Sequence, residues 1–154
     1  MGLDSFAITQ GEDGGWQPAP DESFEGIELC GGMFSDGGSS IRGKVYDELV
    51  RAATGESLYQ ERIEPARVAE MARRMRTAVD GAKRAGMRTR EEKLPALDAD
   101  GNFQLDEDGN RRMKTFKSQV LDVAGIEIDP EEAEGLVGWF EICAEHGYTV
   151  EGWW

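Results

Sequence analysis

One histidine, two cysteines, and no Lys or Arg in residues 1–41 or 118–154 are the scarcities of this 154-residue chain. Each absence excludes something. His146 alone cannot build a multi-histidine metal centre, and no metal or cofactor is expected. Cys30 and Cys143 lie in apolar settings, IELCGG and FEICAE. They read as two reduced core thiols of a cytoplasmic protein rather than as a disulfide framework. No stretch approaches the roughly 20 apolar residues of a membrane span. The opening MGLDSFAITQGEDGG lacks the basic residues of a secretory signal. Phe6 stands where a myristoylation pattern has Ser or Thr.

What is abundant is negative charge, -14 in all, with an uneven distribution. Residues 1–41 carry eight acids, and residues 118–154 carry nine. All seventeen Lys and Arg fall between 42 and 117, against fourteen acids there. Both acidic ends are expected to fold against a basic middle. Such a chain repels nucleic acid as a whole and suits a basic protein partner, whose surface it could block by imitating the charge of DNA.

The length suits one domain over 1–154. Alternation in LDSFAI (Leu3–Ile8) predicts a strand. Thr9–Ser23 reads as a polar loop. FEGIELCGG predicts a second strand through Phe24, Ile27, Leu29 and Cys30, bulged at Gly26. The next segment predicts a helix started by Ser39 or Ser40 and stopped by Gly55, with Ile41, Val45, Leu49 and Ala53 in one row beside Tyr46 and Val50. A second helix begins at Pro65 and ends at Gly86, burying Val68, Met71, Ala72, Met75, Ala78 and Val79. Its Arg73, Arg74, Arg76, Lys83 and Arg84 form a solvated face. The tandem LDADGN and LDEDGN are turn formers, so 95–112 is expected to be a mobile acidic hairpin or insertion. Asp98, Asp100 and Asn102 resemble the start of a calcium loop, but Phe103 stands where that loop needs Gly. Asp129, Pro130, Glu131 and Glu132 announce a last helix ending at Gly147. A terminal strand follows, in which Trp153 or Trp154 is expected in the core and the other, with Trp139, at an interface of a homo-oligomer. The irregular order of elements predicts the α+β class: a small, mainly antiparallel sheet with about three helices.

The segment CGGMFSDGGSSIRGK (Cys30–Lys44) carries the functional expectation. Six glycines fall within residues 26–43, and such a loop can form an anion nest ahead of a helix N-terminus. Arg42 and Lys44 occupy a first turn that ordinarily favours acids. Gly37, Gly38, Ser39 and Ser40 would supply donors to a small anionic ligand, phosphate- or nucleotide-like, while Arg42 and Lys44 supply charge. Neither the P-loop nor the dinucleotide pattern is met. Cys30 with His146 as base has no supporting signature. No catalytic residues stand out, so a non-catalytic binding protein is expected over an enzyme. The alternative is an acidic interaction module acting through Glu131, Glu132, Glu134 and Glu141.

MGLDSF, GIELCGGMFSDGGSSIRGKVYDELV and GWFEICAEHGYTVEGWW resemble small uncharacterised proteins from bacteria and bacteriophages that open with MGLD and close on an aromatic pair. The resemblance implies a phage-associated or bacterial accessory role, such as sequestering or inhibiting. It implies no activity and no site residues.

Overall fold

The computed structural model describes residues 2–32 and 38–154. In chain order its elements are β1 (Asp4–Gln10), β2 (Trp16–Pro18), a 3-10 turn (Asp21–Phe24), β3 (Ser40–Ile41), α1 (Gly43–Thr54), β4 (Arg62–Ile63), α2 (Pro65–Ala85), β5 (Arg88–Pro95), β6 (Met113–Val123), β7 (Ile126–Ile128), α3 (Pro130–His146) and β8 (Thr149–Trp153). The expected α+β class and antiparallel pairing hold. β1 is the hub of a five-stranded sheet. It pairs with β8 along one edge and with β2 and β3 along the other, while β4 adds to the far side of β8. β5, β6 and β7 form a second sheet.

Period-2 geometry sorts the first sheet into two faces. Ser5, Ala7, Ile63 and Val150 turn inward and are buried. On the inner side α2 and α3 pack together and meet β8 and the end of β6. Val68, Met71, Met75 and Val79 of α2 face Leu136, Val137, Phe140 and Cys143 of α3 in one apolar core, where each buried aliphatic side chain contributes about 1.5–3 kcal/mol. α2 and α3 start and stop where the sequence signals. Asp129 accepts from the Glu131 and Glu132 N–H groups at 2.9 and 3.2 Å, and Gly147 closes the helix at φ 68°. The segregated charges also meet as expected: Arg62 pairs with Glu151, Arg76 with Glu134 and Glu141, and Arg88 with Asp122.

Four expectations are corrected. Phe24–Cys30 is not a strand, since Asp21–Phe24 coils into a 3-10 turn and Gly26 takes φ 82°, which extended pairing does not tolerate. Cys30 is consequently exposed, and only Cys143 is a core thiol. α1 begins at Gly43 rather than after Ser39 or Ser40, because Ser40 and Ile41 are drawn into the ladder opposite Phe6 and Ser5. That turns the buried stripe to Tyr46, Leu49 and Val50 and leaves Val45 exposed. Trp139 is fully buried, while Trp153 and Trp154 are 60% and 57% exposed. Trp153 lies opposite Asp4, on the outer face of the sheet, and Trp154 lies beyond the last paired residue.

Candidate functional site

Of the residues expected to hold an anion, Gly37 lies outside the described residues, and the other five are engaged in different ways. The Ser39 N–H and hydroxyl both donate to Asp21 Oδ1, each at 2.7 Å. These bonds hold the Asp21 carboxyl below its usual range. Gly38 offers its carbonyl to the Trp139 indole N–H at 3.1 Å. Ser40 is a buried strand residue. Arg42 Nε lies 3.2 Å from Asp4 Oδ1, whose side chain is 5% exposed. The first amides of α1 are also engaged: Lys44 donates to the Leu3 carbonyl at 3.0 Å and Val45 to the Arg42 carbonyl at 2.9 Å. Gly43 serves packing rather than ligand approach, because a Cβ there would come within 2.9 Å of Leu3 Cγ and closer still to Ser5. Two carboxylates of the chain, Asp21 and Asp4, thus sit where the donors and cation point. Lys44 alone is exposed.

This arrangement makes a prediction. Arg42→Met removes the cation beside a buried carboxylate and should lower stability by about 1–3 kcal/mol. Lys44→Glu places an acid in the first helical turn and should raise stability by about 0.3–1 kcal/mol. Thermal denaturation in a chloride buffer measures both. Nucleotide-induced melting shifts present in the native chain and lost in either variant would instead uphold an anion site.

Beside this segment lies an open groove of about 800 Å³, walled by Ile27, Leu29, Cys30, Glu131, Glu132 and Lys83. Its polar groups are tied together. The Tyr46 hydroxyl donates to Glu132 Oε1 at 2.7 Å and accepts the Cys30 N–H at 2.8 Å. Burial, then the bond to Glu132, pushes the phenol well above its ordinary range, so it keeps its proton. Lys83 and Arg76 both contact Glu134, and these bonds, Lys83 first, hold that carboxyl below its usual range. The His146 ring lies flat against Tyr148, with centroids 5.1 Å apart. Among the described residues no group of three or more His, Cys, Asp or Glu could hold a metal ion.

The least expected feature is an arm. β5 and the first part of β6 run as an antiparallel ribbon, Arg88 opposite Val120 through Pro95 opposite Met113. Residues 87–119 are exposed, apart from half-buried Pro95, Ala96 and Asp106. Only from Val120 onward does β6 enter the core. At the far end the two sequence repeats fold into two equivalent turns. Asp98 Oδ1 accepts the Asp100 and Asn102 N–H groups, each at 2.9 Å, and Asp106 Oδ1 accepts those of Asp108 and Asn110 at 3.0 and 2.8 Å. Gly101 and Gly109 supply the positive φ that closes each turn, 82° and 80°. Residues 96, 104 and 112 then close a ring of three amide bonds: Gln104 N–H to Ala96 carbonyl, Arg112 N–H to Gln104 carbonyl, Ala96 N–H to Arg112 carbonyl, each 2.8 Å. The eight-residue spacing of the repeats places these three residues equivalently. The arm exposes Leu94, Leu97, Phe103, Leu105, Met113 and Phe116 to solvent. Reading the sequence as a turn-rich insertion missed this. The signal was there in the large apolar residues set into an otherwise charged stretch.

Comparison with family models, curated proteins and solved structures returned no match.

Proposed function

We propose that this protein is an interaction module that docks on other protein surface and transforms no substrate. The exposed arm carries the reading. An isolated two-stranded ribbon is marginally stable in water, and six large apolar side chains on one ribbon exceed the scattered exposure usual for a monomer. The ring of amide bonds and the two Asp-closed turns keep that apolar end in one shape without a core beneath it, so less order has to be imposed on binding. The acidic residues expected to make the contact fit this role less well. Glu134 and Glu141 are held by Arg76, and Glu132 by Tyr46. The small-anion reading is weakened in the same way, by Asp21 and Asp4.

A photo-crosslinking residue at position 105, in cells making the protein, should give discrete higher-mass protein adducts. The same group at Glu48, exposed on α1, should give none. Equal adducts from both positions, or none from position 105, would remove the proposal.

A further inference from the structure

The signs of charge on the arm are separated along its length. Residues 88–119 are neutral as a whole, with seven Lys or Arg against seven Asp or Glu. The two strand segments, 88–95 and 111–119, hold all seven bases and only two acids, Glu91 and Glu92. The tip, 96–110, holds Asp98, Asp100, Asp106, Glu107 and Asp108 and no base. Cations of the strands find partners close by: Arg88 meets Asp122 at 2.8 Å, Lys117 meets Glu91 at 2.9 Å and Arg90 meets Glu92 at 3.7 Å. Among the described residues no ion pair reaches any of the five tip acids. Asp98 and Asp106 are turned to amides of their own turns. Asp100, Glu107 and Asp108 are exposed. Beside these acids lies one apolar patch. Leu97 is bridged to Phe103 and Leu105 to Arg111, so each pair shares a face. The Arg111 guanidinium lies over the Phe103 ring, 3.9 Å from its centroid, and joins the two pairs. Leu97, Phe103 and Leu105 are each between 48% and 56% exposed.

We infer that the tip of the arm docks in an apolar cleft of a partner protein whose rim is cationic. Leu97, Phe103 and Leu105 are its anchors, and Asp100, Glu107 and Asp108 face Lys or Arg side chains of the partner. The inference rests on the interaction reading above and gives its partner a chemistry. Sign decides the class of partner. Phosphate backbones and anionic lipid headgroups repel an acidic tip, so neither a nucleic acid nor a membrane complements it. The body of the chain repels it too, since a neutral arm leaves the whole net charge of -14 outside 88–119. A protein surface that combines Lys or Arg with an apolar cleft meets both features of the tip at once. Apolar anchors in such a cleft supply most of the affinity, and the surrounding opposite charges supply speed and specificity of encounter. Shape favours docking as well. Leu97 and Leu105 each follow a member of the three-amide ring, Ala96 and Gln104, so the ring fixes one anchor relative to the other before contact.

The experiment uses the full chain and three synthetic peptides, composed of Leu with Lys, Leu with Glu, and Ser with Lys. The Leu-Lys peptide should bind, and the amide resonances that move should centre on residues 97–108. Neutralising the exposed acids in D100N/E107Q/D108N should weaken this binding at least tenfold, and so should L97S/L105S. All five positions are exposed, so circular dichroism should show both variants folded. The Ser-Lys peptide should bind at least tenfold more weakly, and the Leu-Glu peptide should leave the tip unmoved. K93Q/K117Q, on the strands of the arm, is the control and should not weaken binding. Resonance changes centred elsewhere, binding that ignores D100N/E107Q/D108N, or equal binding of the Leu-Glu peptide overturns the inference. In cells, adducts at position 105 should fall at least tenfold when the three acids are neutralised. Adducts undiminished by that change overturn the cationic partner and leave the interaction reading standing. No adduct at position 105 with the acids intact removes both.

Discussion

Trp139→Ala should lower the free energy of unfolding by about 3–5 kcal/mol, a large fraction of the roughly 5–15 kcal/mol that a domain possesses. The indole is completely buried in α3. It stacks on Phe24 at 5.7 Å and meets Phe140 edge-on at 5.1 Å. Truncation opens a cavity beside the Phe24 and Phe140 rings and strips the Gly38 carbonyl of the N–H that reaches it. Two costs therefore add: the lost apolar burial with its cavity, and an acceptor left without its donor. Trp139→Phe separates them, because it keeps most of the packing and loses only the donor; about 1–2 kcal/mol is expected there. Urea denaturation followed by circular dichroism measures both. A Trp139→Ala loss no larger than that of Trp139→Phe would show that the indole is not the keystone between α3 and the segment at Gly38.

Gly152→Ala should also destabilise, by about 1–3 kcal/mol, although a glycine inside a strand is ordinarily worse than alanine by about 0.5–1 kcal/mol. Space decides the sign. A Cβ on Gly152 would lie 2.6 Å from the Gln60 carbonyl oxygen and 2.8 Å from that of Leu58. Both obstacles are backbone, and Gln60 is itself tied to Leu58 by a 2.8 Å amide bond. Making room pushes the connector away from β8 and strains the pairing of Arg62 and Ile63 with Glu151 and Val150. Gly81, inside α2, is the control. The nearest atom to a Cβ there is the tip of Arg84 at 4.0 Å, so Gly81→Ala should stabilise by about 0.5–1 kcal/mol. Opposite shifts of the two denaturation midpoints are the expected outcome. A neutral or stabilising Gly152→Ala would mean that the connector yields easily.

Elements whose signals are local were legible residue by residue. α2 shows its apolar spacing, its Pro65 and its Gly86. α3 shows Asp129, Pro130 and Gly147. The charge segregation likewise foretold that the acidic C-terminal part meets the basic middle, although Arg76, read as part of a solvated face, is half-buried and paired with Glu134 and Glu141 of α3. Elements that depend on a distant partner were not legible. Ser40 and Ile41 look like the start of a helix, but β1 recruits them as a strand. The glycine-rich segment looks like a ligand loop, but its donors meet Asp21 and Asp4, which lie eighteen and more residues away in the chain.

The arm shows the same boundary. Its turns were readable from the two Asp-x-Asp-Gly-Asn repeats, because an Asp carboxylate capping nearby amides and a glycine at positive φ are short-range chemistry. Its strands were not, since a ribbon exposed on both sides has no apolar alternation to display. Amino-acid order alone was enough for the helices, the turns and the α+β class, which arise from contacts a few residues long. Which tryptophan is buried, which cation is neutralised and which apolar surface stays bare were settled by long-range packing, because each depends on what the sheet brings alongside.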